Sequence, residues 1–130
     1  MVGTDAGIYE SFDLAKNWHY FLNLPLTQFY KVAVNNQEPF YHIFGGTQDN
    51  GSAGGPSATD ERAGITNKDW YKTLSADGHQ SATDPVYNNI IYATTQEGRF
   101  HRVDLETGEQ VFIQPQALEG DPHERYNWDT

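Results

Sequence analysis

Asp49 and Asp77 are the residues on which hydrolytic chemistry could rest, because each falls in a turn at the end of a predicted strand. Glycosidic bond cleavage uses an acid and a base or nucleophile held about 5 to 10 Å apart across a cleft, so two carboxylates on neighbouring turns are its minimum. Around them lie Gln48, Asn50 and His79, and further along the chain Asn127 and Trp128. Amides, an imidazole and an indole together can hydrogen-bond sugar hydroxyls and stack on a sugar face, which makes these five ligand-binding candidates. A structural role competes for each: turn Asp and Asn accept backbone N–H groups, and an indole can pack between sheets. No catalytic constellation is complete.

Other chemistries are excluded more firmly. His19, His42, His79, His101 and His123 lack metal-ligand spacing, so neither a metal nor a cofactor is expected. His42 and His101, inside predicted strands, read as ordinary strand residues. The absence of cysteine removes disulfides and thiolate catalysis. Gly45-Gly46 and Gly54-Gly55 precede neither a helix nor a Lys-Ser/Thr pair, so no phosphate-binding loop is visible. Eighteen acidic against eight basic residues give a formal charge of −10. Nucleic acid and anionic membrane surfaces are poor partners for such a chain, since phosphate binding needs clustered Lys and Arg. No apolar run is long enough to span a bilayer, and Met1-Val2-Gly3-Thr4-Asp5 is unlike a signal peptide.

The elements that would position these residues read as short strands. Eight Tyr, seven Phe and three Trp supply much of the apolar content, and helical periodicity is poor. The predicted strands are Gly7 to Phe12, Trp18 to Leu22, Phe29 to Val34, Phe40 to Gly45, Trp70 to Leu74, Gln80 to Thr83, Asn89 to Thr94, Arg99 to Asp104 and Gln110 to Gln114. Gly51 to Ile65, rich in Gly, Ser, Pro and charge, reads as a long loop between outer strands.

Internal repetition organises these strands. Gly3-Thr4-Asp5-Ala6-Gly7, Gly46-Thr47-Gln48-Asp49-Asn50-Gly51 and Thr94-Thr95-Gln96-Glu97-Gly98 share a small residue, Thr, an acid or amide, and a closing Gly. The closing glycines lie 44 and 47 residues apart, the period of a four-stranded propeller blade. A second register agrees: Tyr30 to Asn36 leads into Phe40 to Phe44 as His79 to Pro85 leads into Asn89 to Ala93. The fold predicted is all-β, a partial β-propeller of about three four-stranded antiparallel blades over 1–27, 28–74 and 75–122. Residues 123–130 would start the next blade. A set of blades open at two edges is expected to self-associate or aggregate.

Ser11-Phe12-Asp13-Leu14-Ala15-Lys16-Asn17-Trp18 fits the Asp-box pattern Ser-x-Asp-x-Gly-x-x-Trp, with Ala15 at the usual Gly. There Ser11 and Asp13 would accept turn N–H groups while Trp18 folds into apolar packing, all three being structural. With this motif on that period, the chain resembles the Asp-box (bacterial neuraminidase repeat) propeller superfamily, closest to its large sortilin-type and glycosyl-hydrolase-like bacterial members. The resemblance rests also on Phe44 to Ser52, Asp69-Trp70-Tyr71 and Asp77-Gly78.

The resemblance implies a piece of a propeller of seven or more blades in an extracytoplasmic protein, periplasmic or secreted, with any export signal upstream. Its partners would be the remaining blades and a glycan or protein ligand. Sialidase members use three Arg and a Tyr nucleophile, and Arg62, Arg99, Arg102 and Arg125 match no such motif. Two functional classes follow: a scaffold or recognition module, and part of a xyloglucanase-like hydrolase using a carboxylate pair. The incomplete constellation favours the first.

Overall fold

A computed structural model describes residues 1–24 and 26–129. The described residues are all-β, with one single-turn 3-10 segment, Asn67–Asp69, and a tight turn at Gln96–Gly98. Their eleven strands form three antiparallel sheets. The first holds β1 (Val2–Thr4), β2 (Gly7–Glu10) and β3 (His19–Tyr20). The second is a meander of β4 (Val32–Val34), β5 (His42–Thr47), β6 (Gly51–Pro56) and β7 (Tyr71–Leu74). The third is a second meander of β8 (Gly78–Thr83), β9 (Ile90–Thr95), β10 (Arg99–Asp104) and β11 (Gln110–Phe112). No helix among the described residues is long and apolar enough to cross a membrane.

The second and third sheets pack through β8, which lies against β4, β5 and β6. Between them sits the core of Phe44, Ile91 and Val103, with Tyr71 and Leu105 packed against it. Phe44 on β5 and Ile91 on β9 are both fully buried, on strands whose last three residues are small or polar. Two turns of the third sheet are tied by a short polar side chain. Asp84 Oδ1 accepts from Val86 N and Tyr87 N, at 2.8 and 2.9 Å, between β8 and β9. Asp104 Oδ1 accepts from Glu106 N at 2.9 Å after β10.

Two expectations are corrected here. The segment 51–65 is not one loop: its first six residues are β6, paired with β5 from Thr47↔Gly51 to His42↔Pro56, and the loop starts only at Ser57. Glycine hid this strand, since it offers no side chain to bury. Its own emptiness is what the neighbours use. A Cβ on Gly54 would lie 2.6 Å from the Phe44 ring, and one on Gly55 2.5 Å from the Trp70 indole, so aromatic rings lie directly on the β6 backbone.

The second correction concerns the first sheet, which has three strands and includes β1 (Val2–Thr4), a segment not among the predicted strands. None of its strand residues is buried, and it makes no extended contact with the other sheets. The β4 side chains Val32 and Val34 are accordingly 61% and 52% exposed. The described residues form no closed ring of sheets. Of the segment expected to begin another blade, residues 123–129 form no strand, and Thr130 lies outside the described residues.

Candidate functional site

Two of the three Gly-closed turns share one construction, while in the third Thr94 Oγ1 bonds to Gln80 on the neighbouring strand. Thr4 Oγ1 donates to Gly7 O at 3.2 Å in the first sheet, and Thr47 Oγ1 donates to Gly51 O at 2.9 Å in the second. The turns need left-handed backbone: Asp49 and Gly51 have φ of 63° and 81°, Glu97 and Gly98 of 62° and 63°. Asp, with its short polar side chain, tolerates this region, and Gly adopts it without steric cost.

Gly46 sets how the turns meet. Its missing Cβ would lie 2.3 Å from His79 N and 2.4 Å from Gly78 C, so the start of β8 runs directly over β5. Gly78 is equally crowded, its own Cβ position lying 2.5 Å from Gly51 O. This contact brings Asp77 beside the Asp49 turn, where Asp49 N donates to Asp77 Oδ1 at 2.7 Å.

His79 is thereby pressed between sheets, 3% exposed, with its Nε2 buried and without a hydrogen-bond partner. Its ring stacks on Tyr30, centroids 5.0 Å apart at 16°, and meets the edge of Trp128 at 6.4 Å and 88°. Tyr30 Oη donates to Gln48 Oε1 and Tyr30 N donates to Gly46 O at 2.9 Å, while Asn50 Nδ2 donates to Gln48 O at 3.2 Å. The chain matches no family model, no curated protein and no solved structure.

Of the sequence-derived candidates, Gln48, Asp49, Asn50, Asp77 and His79 thus come together at one end of the second and third sheets. Gln48, Asp49 and Asn50 line an open cleft of about 540 Å³ with Asp5, Thr27 and Gln28. Trp128 touches His79 but lines a neighbouring cleft of about 440 Å³ with Glu97, Arg99 and Tyr126. Its carbonyl accepts Glu97 N at 3.1 Å, and exposed Asn127 precedes it. Asp77 lines neither cleft, and one of its oxygens is occupied by the Asp49 N–H. Sequence reasoning passed over Tyr30. Its position in the repeat is that of His79, and that correspondence was the available signal.

Ser11, Asp13 and Trp18 lie apart from these clefts, in the connection between β2 and β3. Ser11 Oγ accepts from Ala15 N at 2.9 Å and donates to Asp13 Oδ1 at 2.8 Å. Asp13 Oδ1 also accepts from Lys16 N and Asn17 N, at 3.1 and 3.0 Å, and Oδ2 accepts from Asn17 Nδ2 at 2.6 Å. These donors, those of Asn17 foremost, hold the Asp13 carboxyl down at about 2. Ala15 adopts the left-handed conformation that glycine usually supplies, with φ of 66°. Trp18, expected in apolar packing, is half exposed.

Proposed function

We propose that the chain is a set of Asp-box β-propeller blades of a larger extracytoplasmic protein, whose rim of Gly-closed turns recognises a glycan. The observation that carries this reading is the half-exposed Tyr30 ring, held by its stack on buried His79 and by its bond to Gln48, which sets one aromatic face beside the cleft amides Gln48 and Asn50. Two four-stranded meanders packed through their inner strands support the propeller. A protein ligand for the same rim is favoured less, because the clefts are concave and polar rather than broad and apolar. Hydrolysis by Asp49 and Asp77 also has less support, since Asp77 faces a backbone N–H and lines neither cleft.

Calorimetric titration of the chain with xyloglucan and mixed β-glucan oligosaccharides tests the reading. Binding should weaken roughly tenfold in Gln48→Ala and in Trp128→Ala, the equivalent of one lost hydrogen bond or stacking contact. Absence of binding, or binding indifferent to both substitutions, would remove the glycan assignment. Release of reducing ends, lost in Asp49→Asn, would favour the hydrolase instead.

A further inference from the structure

The opposite end of the second and third sheets carries a cleft that the rim does not explain. It lies where β5 and β9 begin rather than where they end, and has a volume of about 400 Å³. That volume is within the range of about 300 to 1,000 Å³ typical of small-molecule sites.

Its walls are locked to each other. Asn35, 3% exposed, donates from Nδ2 to Asn88 O at 3.2 Å and accepts His42 N at Oδ1 at 2.7 Å. Asn36 N donates to Asn88 Oδ1 at 3.2 Å. On the far wall Asn89 Nδ2 donates to Asp104 Oδ1 at 3.1 Å, and Leu105 N donates to Asn89 O at 2.8 Å. One buried amide therefore ties the β4–β5 turn to the β8–β9 turn. The cleft is pre-formed, and a ligand need not order it.

The lining has a consistent chemistry. His42 Nδ1 and Tyr71 Oη are 2.9 Å apart, and both rings rest on Phe44. Burial pushes the imidazole of His42 down and the phenol of Tyr71 up, so both are neutral near pH 7. In either imidazole tautomer a neutral pair of this kind keeps one donor and one acceptor for a further partner. Gln37, Asn88 and Asn89 add amides, and Leu105 adds apolar surface. The lining contains no Lys or Arg, and Glu106 is its one carboxylate, so an anion would meet repulsion without a counter-charge.

We propose that this cleft is a second binding site, for an uncharged, hydroxyl-bearing ring ligand of mono- or disaccharide size. The Tyr71, His42 and Leu105 surfaces take an apolar ring face, and Gln37, Asn88 and the His42–Tyr71 pair take hydroxyls. The proposal stands on this geometry and holds whatever the rim binds.

Two-dimensional amide NMR of the whole chain tests it, with glucose and N-acetylglucosamine as probes and glucose 6-phosphate as the charged comparison. The expected result is saturable shifts at Gln37, His42, Tyr71, Asn88 and Asn89 at roughly millimolar sugar. Affinity should fall roughly tenfold in Gln37→Ala and in Tyr71→Phe, and for the phosphorylated sugar. Gln37 is exposed and its side chain ties no element to another, so Gln37→Ala keeps the fold even if Tyr71→Phe weakens it. No saturable shift with either neutral sugar, equal binding of the phosphate, or shifts unchanged in Gln37→Ala would overturn the proposal. Shifts confined to Gln48, Asn50 and Trp128 would overturn it while leaving the rim reading intact.

Discussion

Substituting Gly46 by alanine tests whether the second and third sheets are held at backbone contact. The added Cβ would stand 2.3 Å from His79 N, 2.4 Å from Gly78 C and 2.6 Å from His79 O. All three obstacles are backbone atoms of β8, so no side chain can swing aside and the strand itself must retreat. Overpacking of this kind costs about 1 to 3 kcal/mol, and an immovable neighbour puts Gly46→Ala near the upper end. For a chain of this size each kcal/mol lowers Tm by about 4 °C, so a fall of roughly 10 °C is expected by calorimetry or circular dichroism. Gly3 is the internal control: it has the same place in the repeat, yet nothing lies within 4 Å of its Cβ position. Gly3→Ala should be neutral or gain up to about 1 kcal/mol from the stiffer backbone. A Gly46→Ala protein that melts with the parent refutes the close approach. A Gly3→Ala protein that falls as far as Gly46→Ala refutes the open first sheet, and shows that β1–β3 pack on β4 as the second sheet packs on β8.

Phe44→Ala removes a fully buried ring and should cost about 3 to 5 kcal/mol by chemical denaturation, enough to leave much of the chain unfolded. Tyr30→Phe keeps the stack on His79 and loses the bond to Gln48; its stability should change by no more than about 1 kcal/mol while glycan affinity at the rim falls. The Asp13 carboxyl should titrate near 2 by carbon-detected NMR. Because its folded value lies below the ordinary one of 3.8, its stabilising effect is complete above the ordinary value and fades as pH drops toward 2, a loss that Asp13→Asn should not show. Gly55→Ala should displace the Trp70 indole and shift tryptophan emission, with a melting temperature lowered as overpacking requires.

Most strands were legible because aromatic and β-branched residues recur between turn signals, and Arg99–Asp104 falls where the pattern puts it. The hidden ones failed for physical reasons. β6 has glycines where a strand normally advertises side chains, and the rings packed on it are Phe44 of β5, Tyr71 of β7 and Trp70 just before β7. β1 is three residues long and pairs only with β2. At the rim, the repeat of small residue, Thr and Gly pointed to the turns, and the structure brings the Asp49 and Asp77 turns together. It could not say that a backbone N–H would occupy an Asp77 oxygen. The cleft around His42 was invisible in sequence, because Tyr71 is 29 residues away and Asn88 lies in a turn of the other meander, between β8 and β9. Trp18 was expected to find apolar cover, but the first sheet makes no extended contact that could provide it.

The unburied first sheet divides the molecule into units of unequal cooperativity. Backbone hydrogen bonds of β1–β3 have only the partly exposed Tyr9–Tyr20 pair over them, whereas those of β5 and β9 are sealed by the buried Phe44 and Ile91. Amide protons of residues 2–20 should therefore exchange with solvent through local openings of small free energy, while those of 43–46 and 90–95 wait for global unfolding. A protease acting on the native chain would meet the same gradient, cutting first at the exposed residues 22–24 and leaving the second and third sheets as a surviving core.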